Sequence, residues 1–159
     1  MRTLPRQRIA RDALKVWRLT AAITTIIGGV VVGLITGWTI WQSWPLWIAY
    51  TAIGLLVIFG VISIAVMPTL VWRRWRYEVR EEEVELMKGV IITKRTLIPM
   101  TKVQHVDTIQ GPFLKKYKLA TVTVSTAATT HEIPALEQEE AEALRDQIAR
   151  LARRVDVDE

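Results

Sequence analysis

The chain has 159 residues, no cysteine and a formal charge of +5, and its charges are unevenly spread. Residues 1–18 carry six Lys/Arg against Asp12 alone, residues 19–72 carry no Asp, Glu, Lys, Arg or His, and residues 73–159 carry 15 Lys/Arg and 15 Asp/Glu. An uncharged, mostly apolar block of 54 residues excludes an ordinary soluble domain, which could not bury it and keep a polar surface; the lack of cysteine excludes disulfides, thiolate catalysis and Cys-built zinc sites.

The chain opens on a basic arm, residues 1–18, with Arg2, Arg6, Arg8, Arg11, Lys15 and Arg18. The pI near 9.8 reports this arm beside a membrane. It gives no support to nucleic-acid binding, since the third block is neutral.

About 20 apolar residues cross a bilayer as a helix, so residues 19–72 suffice for two crossings. The break falls at Gln42-Ser43-Trp44-Pro45, where two polar side chains interrupt the apolar run and proline is best placed to begin a helix. This predicts spans at 19–41 and 46–71 with a turn at 42–45. Indole prefers the headgroup layer, and the tryptophans sit where a hairpin of helices needs them. Trp38, Trp41, Trp44 and Trp47 surround the turn, while Trp17, Trp72 and Trp75 mark the opposite interface. Arg11, Lys15 and Arg18 before the hairpin and Arg73, Arg74 and Arg76 after it place both termini in the cytoplasm by the positive-inside rule. Gly37-Trp38-Thr39-Ile40-Trp41 is too bulky for signal cleavage, so the first span reads as a retained anchor.

Thr25, Gly29, Gly33 and Gly37 recur every fourth residue and lay a smooth strip along one face, suited to close helix packing. The short turn favours this chain's own second span, with Ala49, Gly54, Gly60 and Ser63; a helix from another copy, and hence a homo-oligomer, stays open. With no intramembrane charge, a channel or transport path is disfavoured.

Residues 73–159 change period. Short alternating segments rich in Val, Ile and Thr predict strands at 75–80, 83–87, 90–98, 103–109, 120–125 and 129–133, with turns at Lys88-Gly89 and Gly111-Pro112 and an end at Pro99. Val122 and Val124 are expected to face inward. From Glu137 on, Ala141, Leu144, Ile148, Leu151 and Val155 predict one apolar stripe on a helix packed against the sheet. Its acidic start and basic end suit the helix dipole.

The stretch Thr96-Leu97-Ile98-Pro99-Met100-Thr101-Lys102-Val103-Gln104-His105-Val106, then Gln110-Gly111-Pro112-Phe113-Leu114-Lys115-Lys116-Tyr117-Lys118-Leu119-Ala120, then Val122-Thr123-Val124-Ser125-Thr126-Ala127, resembles the bacterial pleckstrin-homology-like domain of the YdbS-type two-helix membrane proteins. The resemblance covers about residues 15–155. It implies an α+β membrane protein: an N-terminal transmembrane helical hairpin, then a PH-like antiparallel β-sheet or partly open barrel closed by a C-terminal α-helix. Six strands are counted where that fold has seven, and Lys118 stands where relatives usually carry glycine. The resemblance also implies a bacterial inner-membrane location and, as partner, a larger membrane protein with several such domains.

Chemistry is sparse. Ser43 and Ser63 lie in the membrane block, and Ser125 lacks a nucleophile turn. His105, Asp107 and His131 supply neither a supported triad nor a full metal set. No Gly-rich phosphate loop is present. The chain is therefore expected to be no enzyme, with neither catalytic, metal nor cofactor site.

Eukaryotic domains of this fold often hold phosphoinositides on a basic first loop, but here that turn is Arg80-Glu81-Glu82-Glu83, which repels phosphate. The remaining basic cluster is Lys115, Lys116 and Lys118 around Tyr117, with Lys94, Arg95 and Lys102 as additions. The expected function is a protein-docking or scaffold subunit at the cytoplasmic membrane face, through Lys115, Lys116 and Tyr117. The alternative is anionic lipid headgroup binding by the same cluster. A tether of three residues between Val71 and Trp75 makes a lipid pocket redundant for recruitment.

Overall fold

The computed structural model describes residues 4–157. These divide into two compact units, one of residues 14–70 and one combining residues up to Ala13 with those from Val71 onward.

The first unit is a helical hairpin. Helix α1 spans Ala13–Trp41; α2 spans Leu46–Val61 and runs through a π-helical segment, Ile62–Val66, into α3, Met67–Arg74. Two continuous helices of 29 residues result, each long and apolar enough to cross a membrane, and both begin or end beyond the predicted span limits. The π segment has a local cause. Pro68 lacks the N–H that would bond Ile64, and its ring crowds that carbonyl. Widening the preceding turn, where Met67 N–H donates to the Ile62 carbonyl, lets the helix pass the proline without breaking.

At the turn, Trp44 N–H donates to the Thr39 carbonyl at 2.9 Å and Ser43 takes a left-handed φ of 56°. Pro45 is the N-cap residue, one before the first turn of α2, where its missing N–H costs no intrahelical bond. The helices approach through small residues. Leu56 lies across Gly28 and Gly29, while Thr25 presses on Gly60, where a Cβ would stand 2.9 Å from its Cγ2. Near the open end Arg18 Nη2 reaches Thr69 Oγ1 at 3.4 Å.

The second unit holds six strands in two antiparallel three-stranded sheets. Strands β1 (Arg76–Val79), β2 (Glu83–Lys88) and β3 (Lys94–Pro99) form one; β4 (Val103–Ile109), β5 (Leu119–Thr126) and β6 (Thr130–Glu137) form the other. A 3₁₀ turn, Met100–Lys102, joins the sheets, and a short helix α4, Pro112–Lys116, bridges β4 and β5. Helix α5, Gln138–Val157, packs on the second sheet. The two sheets do not close into a barrel, which leaves the open form that the resemblance implied.

Alternation sets the core. Tyr77, Val84, Leu86 and Ile98 from the first sheet, Leu119, Val122, Val124, Ile133 and Leu136 from the second, and Ala141, Leu144 and Ile148 from α5 are all buried. Each large aliphatic here removes enough apolar area to contribute roughly 1.5–3 kcal/mol. The Tyr77 hydroxyl donates to Glu140 Oε1 at 2.8 Å, tying β1 to α5, and burial beside that carboxylate pushes its pKa upward.

Three local features differ from the sequence expectation. Residues 90–93 form the β2–β3 turn instead of opening β3, because Gly89 adopts φ 118° and folds the chain back early. β6 continues through Pro134 to Glu137, since a bulge places Pro134 and Ala135 opposite Thr121 alone; the proline N–H missing from the ladder is absorbed there. The N-terminal arm joins the domain: Gln7 and Tyr77 exchange two backbone hydrogen bonds of 3.1 Å, and Ala10 N–H donates to the Ala135 carbonyl. This single bridge stands at the free edge of β1.

Candidate functional site

The docking residues read from sequence lie at the β4–β5 connection. Gly111 ends β4's path and Pro112 opens α4, which exposes Lys115 and Lys116 side by side. Tyr117, half-buried, closes the helix with its N–H on the Leu114 carbonyl. Lys118 turns the chain into β5 in the left-handed region, φ 52°, the conformation that glycine at this position would adopt freely. Its carbonyl accepts from Gln138 N–H at 3.0 Å, so the strained turn also fixes the start of α5.

The four residues divide between two environments. Lys115 and Lys116 face solvent, whereas Tyr117 and Lys118 line a cleft with Asp12, Glu137, Gln138, Glu139 and Glu142. Four acidic residues and one lysine share this lining, a composition less suited to an anionic headgroup than to a basic or hydrogen-bonding protein surface. Lys94, Arg95 and Lys102 belong to the first sheet and its exit: Arg95 is paired with Glu85, and Lys94 stands opposite Lys88.

The turn after β1 is closed by Arg80 N–H on the Glu83 carbonyl at 2.9 Å, and Glu82 accepts from Met100 N–H at 2.8 Å. Beside it lies a cleft lined by Glu81, Glu82, Glu83, Pro99, Leu151 and Arg154, among others. The place where related folds gather cations therefore carries three glutamates at its rim.

Sequence reading missed what Arg80 does. Its guanidinium meets Glu78 at 2.9 Å, Glu83 at 3.6 Å and Glu85 at 3.3 Å, and these carboxylates, Glu78 foremost, push its pKa upward. Glu85 is fully buried and held between Arg80 and Arg95, while Arg6 of the arm approaches Glu78. The run Arg80 to Glu85 looks like a solvated acidic turn in sequence; only the register that aligns Glu78 with Glu85 shows it as a network.

The remaining candidates are dispersed. His105 and Ser125 are cross-strand partners, and Asp107 pairs with Thr123, so these side chains share one face of the second sheet. His131 pairs with Val124 and belongs to the other face. The Ser125 hydroxyl lies 3.1 Å from that of Thr130. Among the described residues no group of three or more His, Asp or Glu could hold a metal ion.

In the hairpin, a Cβ on Gly29 would meet Leu56 at 3.7 Å, whereas Gly33 and Gly37 have nothing within 4 Å. Contact is thus made at the Thr25 and Gly29 end of the expected strip, with Thr25 against Gly60 and Leu56 over Gly29 and the neighbouring Gly28. Trp38, Trp41, Trp44 and Trp47 are all more than half exposed, as interfacial rings at the turn should be, and Trp17 is half-buried. Trp72 and Trp75 differ. The Trp72 indole donates to the Ile9 and Ala10 carbonyls and lies under the Arg8 guanidinium; Trp75 is buried at 6% exposure. Trp75 therefore does not offer its ring to a membrane interface, because folding of the domain encloses it.

Comparison with known proteins agrees with this architecture. The profile described as bacterial PH domain matches residues 14–152. UPF0699 transmembrane protein YdbS of Bacillus subtilis (strain 168) is 44% identical over 158 residues, covering 99% of both chains. UPF0699 transmembrane protein YdbT of the same organism is 28% identical over 103 residues, 62% of this chain and 20% of that longer protein. No solved structure gives a significant match. A profile spanning hairpin and domain together, and a relative alignable nearly end to end, mean that the chain belongs to the bacterial PH domain family.

Proposed function

We propose that this membrane protein is a non-enzymatic scaffold subunit whose PH-like domain docks on a neighbouring membrane protein at the cytoplasmic face of the bacterial plasma membrane. The observation that carries the reading is the charge of the two clefts. Glu81, Glu82 and Glu83 line one together with Arg154, and Asp12, Glu137, Glu139 and Glu142 line the other together with Lys118, so acidic residues outnumber basic ones in both. Pockets so lined disfavour phosphate and favour protein groups that present cations or backbone N–H donors. The rival, a headgroup-binding role for Lys115, Lys116 and Lys118, has to work against the same carboxylates.

Placement supports the reading as well. Only Trp75 separates α3 from β1, so the domain stays at the bilayer surface, where tethering raises the local concentration of membrane-bound partners. The longer relative, of which a fifth is alignable here, is the kind of partner we propose: a larger membrane protein containing a segment like this one.

The test is co-purification in mild detergent of the full chain with the longer relative from its own genome. Glu139→Lys with Glu142→Lys, and separately Lys115→Glu with Lys116→Glu, should each weaken recovery of the partner while membrane insertion persists. Recovery of the protein alone at every expression level would remove the docking role. Loss of binding to anionic vesicles only in the lysine variant, with partner recovery unchanged, would favour the headgroup reading.

A further inference from the structure

The β2–β3 hairpin ends in a feature that neither the fold nor the docking role uses. Ile91 and Ile92 stand at its tip with 96% and 83% of their surface exposed, the extreme values among the exposed large apolar side chains of the domain. The turn is tightly built: Gly89 holds φ 118°, and a Cβ there would run into the Ile92 carbonyl oxygen. At its base Lys88 and Lys94 are direct cross-strand partners. Like charges placed opposite each other repel in water, and among the described residues neither ammonium is shown in an ion pair. Two exposed isoleucines above a pair of unneutralised ammonium groups match the two layers of an anionic bilayer surface, hydrocarbon beneath phosphate.

Register puts this tip at the end of its sheet where the chain enters β1. β1 begins at Arg76, two residues past the end of α3 at Arg74. Arg76 pairs with Met87, so the Lys88 end of the hairpin lies beside the point where the chain leaves the span. At no more than about 3.6 Å per residue, Ile91 stays within roughly 27 Å of Arg74, counting about 5 Å for the step across the ladder. The opposite end of the same sheet carries Glu81, Glu82 and Glu83. One small sheet thus sorts apolar and basic groups to the end where the chain enters β1 and three glutamates to the other, a polarity that an anionic leaflet would select.

We infer that the 88–94 hairpin is a second membrane anchor, inserting Ile91 and Ile92 among the lipids of an anionic leaflet while Lys88 and Lys94 engage its phosphates. The inference needs the transmembrane hairpin but not the docking role, so the two stand or fall separately.

The chain has no cysteine, which allows single labels in the full-length protein. Ile91→Cys and, as reference, Glu82→Cys are each labelled with an environment-sensitive fluorophore. The protein is placed in nanodiscs of phosphatidylcholine with phosphatidylglycerol, or of phosphatidylcholine alone. With phosphatidylglycerol present, the label at 91 should shift to the blue, be quenched by acyl-chain nitroxide lipid and be several-fold less accessible to iodide than the label at 82. Adding Lys88→Glu and Lys94→Glu should abolish the shift, as should omission of phosphatidylglycerol. Equal iodide access at 91 and 82 overturns the inference. So does shielding of 91 without nitroxide quenching, which assigns the tip to a protein contact, and so does insertion indifferent to lipid charge and to both lysines.

Discussion

Lys118 shows how one residue can be misfitted to its backbone. A left-handed conformation costs a non-glycine residue about 1–2 kcal/mol, and glycine gives back part of the gain through its extra freedom in the unfolded chain. Lys118→Gly should therefore stabilise the full-length protein in detergent by about 0.5–1 kcal/mol, while Lys118→Ala, which removes charge but keeps the Cβ, should gain little. Thermal unfolding of the two variants separates backbone strain from charge. His131 makes a different prediction. Burial, then the ammonium groups of Lys88 and Lys94, hold its pKa below the ordinary imidazole range. Above about pH 6.5 the ring is neutral in both folded and unfolded chains and costs nothing. As pH falls through that value the unfolded chain takes up the proton first, so stability drops until the folded ring is protonated too. Melting temperature should fall less steeply between about pH 7.5 and 5.5 in His131→Asn than in the parent; parallel curves would exclude His131 as a contributor. Glu85 gives the third. Arg95→Met leaves a fully buried carboxylate with one of its two guanidinium partners and should cost about 3 kcal/mol, whereas adding Glu85→Leu should restore much of it, because burying a lone charge costs more than removing the pair.

Elements were legible in sequence where one period dominated a long stretch. The spans, the turn at 42–45, β4 and the apolar stripe of α5 follow from hydropathy and spacing alone. Most of what escaped depends on neighbours that are distant in sequence. Val90-Ile91-Ile92 reads as strand because its residues favour strands, yet Gly89 turns the chain first. The bulge at Pro134 and the bridge between Gln7 and Tyr77 need partners across the fold, and the pairing of Glu85 with Arg80 and Arg95 needs the register of three strands. The π segment, like the turn after Gly89, had a local signal, in its case Pro68. In the hairpin, the strip of Thr25, Gly29, Gly33 and Gly37 marked a smooth helix face, and the contacts use its Thr25 and Gly29 end, against Gly60 and Leu56, with Gly28 beside it. Gly60→Val should consequently destabilise the protein by about 1–3 kcal/mol, since its Cβ meets Thr25 and further methyl groups have less room. Gly33→Val should leave stability unchanged, because open space surrounds it within the chain. Matched losses at the two sites would place a second helix, from another copy, against Gly33.

At the scale of the whole molecule, charge decides orientation and the domain follows. Arg11, Lys15 and Arg18 precede the apolar block and Arg73, Arg74 and Arg76 follow it, whereas the turn between the helices, Gln42 to Pro45, has no charge at all. Translocating either end would carry a cluster of cations across the membrane, while translocating the turn carries none, so the hairpin should insert with its turn outside. On that expectation the strained Ser43 at φ 56° and the four exposed tryptophans should lie at the outer interface, and the PH-like domain at the inner one. Because the chain lacks cysteine, Ser43→Cys and Arg153→Cys report the two sides independently. A membrane-impermeant maleimide applied to intact cells should label the variant at 43 and spare the variant at 153 until the membrane is permeabilised. The inverted pattern would move the domain outside the cell, away from any cytoplasmic partner, and would also turn the 88–94 hairpin toward the opposite leaflet. Labelling at both positions would break the pairing of the two crossings on which the tether depends.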